Sequence, residues 1–91
     1  MTTAKFLFSD EVIVSFELSG HSGAGEYGTD IVCSAVSSAV YMAANTIIEI
    51  MKLTPETEVR DGYLKVRMNF EDARKSKVIT DGLYLHLGEL H

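Results

Sequence analysis

The chain has no tryptophan, one proline and one cysteine in 91 residues, and only 8 lysines and arginines against 13 aspartates and glutamates. Each shortage excludes something. A single cysteine cannot form an intramolecular disulfide and falls far short of a zinc cluster, which leaves it as a packing residue, an intermolecular partner or a reactive thiol. The net charge of −5 argues against direct nucleic-acid binding, because phosphate contacts need a basic face. A basic peptide or protein partner suits this charge better. No apolar run approaches the about 18 residues that span a bilayer, and no basic start precedes an apolar segment with a small-residue cleavage site. The expectation is a cytoplasmic protein without membrane attachment, metal or cofactor. What the chain does have is apolar residues, at 46%, enough for one packed domain over residues 1–91 and too many for a disordered chain.

Ala4-Lys5-Phe6-Leu7-Phe8 and Val12-Ile13-Val14-Ser15-Phe16-Glu17-Leu18 flank a turn at Ser9-Asp10-Glu11, and Val12, Val14, Phe16 and Leu18 alternate onto one face. The pattern predicts an antiparallel hairpin. A second hairpin is predicted around Asp61-Gly62, a dipeptide suited to a two-residue type I′ turn. In its second strand Leu64, Val66 and Met68 face one way while Tyr63, Lys65 and Arg67 face the other. A helix is predicted from an N-cap at Thr29 or Asp30 to about Met51 or Lys52, ended by Thr54-Pro55. A last helix is predicted from an N-cap at Asn69, with Glu71 four residues before Lys75 and with Ile79, Leu83, Leu87 and Leu90 on one apolar face. The fold class is α+β, a small single domain in which two hairpins form a sheet with two helices in the order ββαββα.

Four of the seven glycines and one of three histidines lie in the stretch from Gly20 to Gly28, between the first hairpin and the first helix. Gly23-x-Gly25-x-x-Gly28 fits the dinucleotide fingerprint in spacing only: three residues separate it from the strand, a proline and a hairpin follow the helix, and the chain is too short for that fold. At about 100° per residue, Ile31, Val32, Ala35, Val36, Ala39, Val40, Ala43, Ile47 and Ile50 fall on the core side of the helix. Ser34, Ser37, Ser38, Tyr41, Asn45, Glu49 and Lys52 fall on the solvent side, and Cys33 lies on the border, with Asp30 and Ser37 one turn before and after it. Near a helix start, free amides and the macrodipole favour a thiolate, whereas Asp30 opposes it. The glycine-rich run can bring His21 back over the helix as a cation, and a Cys/His pair is how a cysteine nucleophile is generated and its leaving group protonated. On the residues alone, Cys33 reads first as a small packing residue, His21 as a solvated loop residue and Ser37 as a small residue that allows close approach.

Gly20-His21, a short glycine-containing loop, then Gly28-x-Asp30-Ile31-Val32-Cys33-x-Ala35-Val36-Ser37 resembles the signature of the ribosomal-processing cysteine proteases called Prp. The likeness extends over the preceding strand, Ile13 to Ser19, with Ser22 and Ser34 where that family has alanine. The resemblance implies a homodimeric α+β endopeptidase with Cys33 as nucleophile and His21 as general base and acid. Asp30 and Ser37 would be orienting or supporting residues. The loop with Gly20, Ser22, Gly23, Gly25 and Gly28 would be mobile and close over the substrate. That substrate would be the N-terminal extension of a basic large-subunit ribosomal protein. The alternative from another class is a non-catalytic dimeric, ribosome-associated binding module using the same loop; a third is a small-molecule thiol enzyme or redox sensor.

Overall fold

The computed structural model describes residues 2–20 and 27–89, with side chains described for 3–20 and 35–89. Strands β1 (Thr2–Ser9) and β2 (Val12–Gly20) form the first hairpin, and β3 (Glu56–Arg60) and β4 (Tyr63–Arg67) the second. They join into one antiparallel four-stranded sheet in the order β1-β2-β4-β3. Helix α1 (Tyr27–Asn45) connects the hairpins, and α2 (Phe70–Lys75) and α3 (Lys77–Glu89) close the chain. The helices cover one face of the sheet. Phe16, Ile13, Val66, Val40 and Ile47 form the centre of the core between the layers. On the edge, Tyr84 of α3 meets Phe6 and Phe8 of β1 edge to face at 5.0 and 5.4 Å, an arrangement that the ring quadrupoles favour.

The two turns exchange the expected roles. At Asp10-Glu11 both residues have positive φ, 48° and 66°, the pattern of a type I′ turn that suits strand twist. At Asp61-Gly62 only Gly62 is positive, at 74°, so the loop has two residues as expected but is not type I′. A register shift opposite Leu7 and Phe8 pairs Ser15 with Leu7 and Ile13 with Phe8, leaving Val14 as the extra residue. That bulge changes the alternation: Ile13 is completely buried, and Val14, expected in its place, is only half-buried. Beyond the bulge Phe16 and Leu18 are buried as expected, and so are Leu64, Val66 and Met68.

Helix α1 begins at Tyr27, so Thr29 and Asp30 lie inside its first turn instead of capping it, and Gly28 is helical instead of part of the loop. Val40, Ala43 and Ile47 are buried as the helical pattern predicts, but Ile50 is 77% exposed. The reason lies in the last turn. The Thr46 hydroxyl donates to the Met42 carbonyl at 2.8 Å, competing with the regular ladder. From Thr46 to Ile50 the helix is π-helical, with the Met51 amide bonded to the Thr46 carbonyl at 2.9 Å. One more residue per turn rotates Ile50 out and brings Met51 against the core. Lys52, at φ 60°, then ends the helix before Pro55.

Asn69 caps as expected, its side chain accepting from the Asp72 amide at 2.8 Å. The single last helix does not hold, however: it is interrupted at Ser76, which is buried between α2 and α3. The Thr80 hydroxyl and amide both bond the Ser76 carbonyl, at 3.2 and 3.0 Å, the kind of back-bonding that bends a helix. Leu83 and Leu87 are buried and Ile79 packs against the core. Leu90 lies outside the described residues. The Glu71–Lys75 pair is not among the ion pairs of the described residues, whereas Lys77 and Asp81 form one at 2.8 Å across the same spacing.

Candidate active site

Strand β2 and helix α1 carry the signature residues, and β4 brings the second hairpin against them. At the end of β2, Gly20 has φ 145°, a conformation side-chain-bearing residues rarely adopt. Its amide donates to the Gly62 carbonyl at 3.0 Å. The chain therefore leaves β2 beside the Asp61-Gly62 turn, and the next residue is His21.

A cleft of about 210 Å³ opens here, lined by Leu18 and Gly20 of β2, Ser37 and Tyr41 of α1, and Gly62, Tyr63 and Leu64 around the start of β4. Ser37 and Tyr41 are four residues apart and so share a helix face. Cys33 precedes Ser37 by one turn and Asp30 precedes Cys33 by most of another. The cleft thus sits between the residue that leads into His21 and the turn of α1 that follows Cys33. Of the expected site residues, the structure brings Gly20 and Ser37 together at this cleft. His21, Ser22, Gly23 and Gly25 lie outside the described residues, as do the side chains of Gly28's neighbours Asp30 and Cys33. Cys33 is the seventh residue of α1, in its second turn. The dipole effect falls off within the first turn, so the helix start acts on Cys33 less than an N-cap at Thr29 or Asp30 predicts.

Two hydroxyls give the cleft its character: the Tyr41 phenol and the Ser37 hydroxyl, which can donate or accept. Tyr63 borders the cleft at the start of β4, but its side chain alternates with that of Leu64 onto the other face of the sheet, with Glu17 and Lys65. There its phenol is held above the usual tyrosine range by burial first, then by the Glu17 carboxylate as acceptor and charge, and by Glu58; Arg60 opposes the shift. The Arg60 guanidinium lies 4.3 Å from the centre of the Tyr63 ring, within cation–π range. Glycines at two corners leave backbone accessible, so the cleft can take a chain segment whose own N–H and C=O groups need partners. Sequence reasoning missed Tyr41, Tyr63 and Gly62. The Ser37–Tyr41 spacing was a local signal for the first; nothing local places Tyr63 here, because that requires the pairing of β2 with β4.

The family model of cysteine protease Prp matches residues 1–91. The ribosomal processing cysteine protease Prp of Bacillus subtilis is 29% identical over 84 residues, 86% of this chain and 75% of that protein. Its namesake from Staphylococcus aureus is 31% identical over 70 residues, 74% of this chain and 66% of that protein. Among solved structures, the S. aureus processing protease in complex with a substrate peptide superposes with a TM-score of 0.85 at 25% identity, covering 99% of this chain and 88% of that one. SMU.848 from Streptococcus mutans superposes at 0.79 with 29% identity, covering 99% of this chain and 83% of that one.

Proposed function

The chain belongs to the Prp family of cysteine proteases, and from that premise we propose that it removes the N-terminal extension of a bacterial large-subunit ribosomal protein, with Cys33 as nucleophile and His21 as general base and acid. The observation that carries this reading is the family match over residues 1–91, together with His21, Asp30, Cys33 and Ser37, whose spacing resembles the family signature. The names of the B. subtilis and S. aureus relatives supply ribosomal processing. An S. aureus structure with a covalently linked product peptide supports a nucleophilic route.

In this route His21 takes the Cys33 proton and the thiolate attacks the scissile carbonyl carbon. His21 then returns the proton to the departing amine as the C–N bond breaks, leaving the N-terminal fragment as a thioester on Cys33. Water, deprotonated by His21, hydrolyses the thioester and regenerates the thiol. Since Cys33 lies in the second turn of α1, His21 is the principal source of thiolate stabilisation. Asp30, nearly one turn earlier, would orient His21, and Ser37 would support the substrate at the cleft. The loop carrying Ser22, Gly23 and Gly25 would close over the peptide. The enzyme would work as a cytoplasmic homodimer. No helix among the described residues is long and apolar enough to cross a membrane.

The test is cleavage of a synthetic peptide spanning the ribosomal extension by wild-type protein, Cys33→Ala and His21→Ala. Both variants are expected to lose activity by at least about 100-fold with unchanged circular dichroism. Normal turnover by either would exclude the dyad. Binding without cleavage by the wild type would favour the binding module instead.

A further inference from the structure

The two sheet edges differ, and β3 is the one left open next to the cleft. Along β4, the Gly62 carbonyl and the Met68 amide bond to Gly20 and Val14 of β2, at 3.0 and 2.8 Å. Antiparallel alternation then gives the even-numbered residues of β4 to β2 and Tyr63, Lys65 and Arg67 to β3. Their partners Arg60, Glu58 and Glu56 spend their amides and carbonyls inward. Thr57 and Val59 consequently turn theirs to the edge, where no strand of the described residues follows. The helical layer stops short of this strand: Val59 is 63% exposed although its partner Leu64 is 4% exposed. Leu64 lines the cleft, so Val59 extends its floor to the edge. The β3–β4 register has no shift, and β3 contains no proline or lysine to block an added strand.

The sheet face away from the helices also specifies the added strand's charge. Lys5, Glu17, Lys65 and Glu58 are successive partners across all four strands, a row of alternating sign that ends on a carboxylate. In a neighbouring row Arg67 is opposite Glu56, which again leaves a carboxylate at the edge. A further strand with Lys or Arg at two alternate positions continues both rows with opposite charges side by side. A second copy of β3 pairing antiparallel about Glu58 would set Glu58 opposite Glu58, which is destabilising, while each Glu56 would face an Arg60; a basic peptide strand carries no such like-charge pair. The Glu58–Arg60 pair, at 3.1 Å and well exposed, is of the weak kind that such a residue can displace.

We infer that β3 is the substrate-docking edge: an extended peptide adds to it as a fifth strand through Thr57 and Val59, with basic side chains at alternate positions on Glu56 and Glu58. This rests on the reading of the chain as a peptidase, because it identifies the substrate segment that reaches the cleft from outside. Strand addition of this kind draws affinity from the main chain and selectivity from alternate side chains.

The experiment measures binding of the ribosomal-extension peptide to Cys33→Ala protein by fluorescence anisotropy, then to the same protein carrying Thr57→Pro or Glu58→Lys. Thr57→Pro deletes an outward amide without touching the bonds to β4, and Glu58→Lys reverses the charge at the edge. Each is expected to weaken binding about tenfold. A peptide in which only the basic residue paired with position 58 is changed to glutamate is expected to recover affinity for Glu58→Lys. Because Thr57→Pro alters the strand itself, peptides N-methylated at successive positions provide a second measurement on unchanged protein, with losses expected at every other position. Unchanged affinities, losses without the two-residue period, or no binding to Cys33→Ala would overturn the inference. Wild-type cleavage is scored separately. Cutting with unchanged affinities removes the docking edge and leaves the peptidase reading standing; shifted affinities without cutting keep the edge and remove the peptidase reading.

Discussion

Ile47 and Ile50 are three residues apart, so on a regular α-helix they would lie about 60° from one another on the same apolar stripe. In the structure they part company: Ile47 is fully buried and Ile50 is 77% exposed, because the wider π-helical turn from Thr46 to Ile50 turns less per residue and moves Ile50 off the apolar stripe. The two alanine substitutions should therefore differ widely. Ile47→Ala removes buried methyl groups and leaves a cavity, costing about 2–5 kcal/mol. Ile50→Ala removes surface that water already reaches and should fall within about 0.5 kcal/mol of the wild type. For a domain of this size a loss of 1 kcal/mol lowers Tm by roughly 4–8 °C, so Ile47→Ala should melt at least about 8 °C lower while Ile50→Ala melts within about 4 °C. Urea unfolding followed by circular dichroism gives both free energies on the same scale, provided the slopes agree. Equal costs for the two variants would mean that the helix stays regular to its end and that the account of α1 is wrong.

Two further predictions concern local structure. Asn69→Ala removes the acceptor of the Asp72 amide bond at 2.8 Å and should cost about 1 kcal/mol in urea unfolding; Asn69→Asp, which keeps an acceptor, should restore most of it, and no loss in the alanine variant would remove the cap. Tyr63, raised above 10.0 chiefly by burial, should form tyrosinate above the ordinary tyrosine range, seen as a late component of the ultraviolet titration that is absent from Tyr63→Phe. Because the folded-state value is the higher one, the stability this phenol contributes is complete below about pH 10 and is lost as pH rises through the folded value. A Tyr63→Phe titration that superposes on the wild type would refute the assignment.

Whatever depended on neighbours in sequence was legible before the structure. Both hairpins, the two-residue Asp61-Gly62 loop, the buried triad Leu64, Val66 and Met68, and the Asn69 cap are written in local patterns. The strand order was not, since the pairing of β2 with β4 joins segments separated by the whole of α1. That pairing alone brings Tyr63 and Gly62 to the cleft with Gly20 and Ser37, so half of the cleft was out of reach of any motif. The other failures share a cause. The bulge at Val14, the π-helical turn after Thr46 and the bend at Ser76 each shift a periodic pattern by a fraction of a turn or by one residue, and a periodicity argument assumes that no such shift occurs. The family was readable in the signature around His21 and Cys33, whereas the helix-start argument for Cys33 weakened once α1 proved to begin at Tyr27.

The most direct test of the nucleophile is rapid-quench mass spectrometry of the intact protein mixed with the ribosomal-extension peptide. Cys33 as nucleophile predicts a transient species heavier by the N-terminal fragment, less one water relative to the free acid, mapping to Cys33 on digestion and absent from Cys33→Ala. Cleavage that persists in Cys33→Ala, with no adduct at any time, would contradict it.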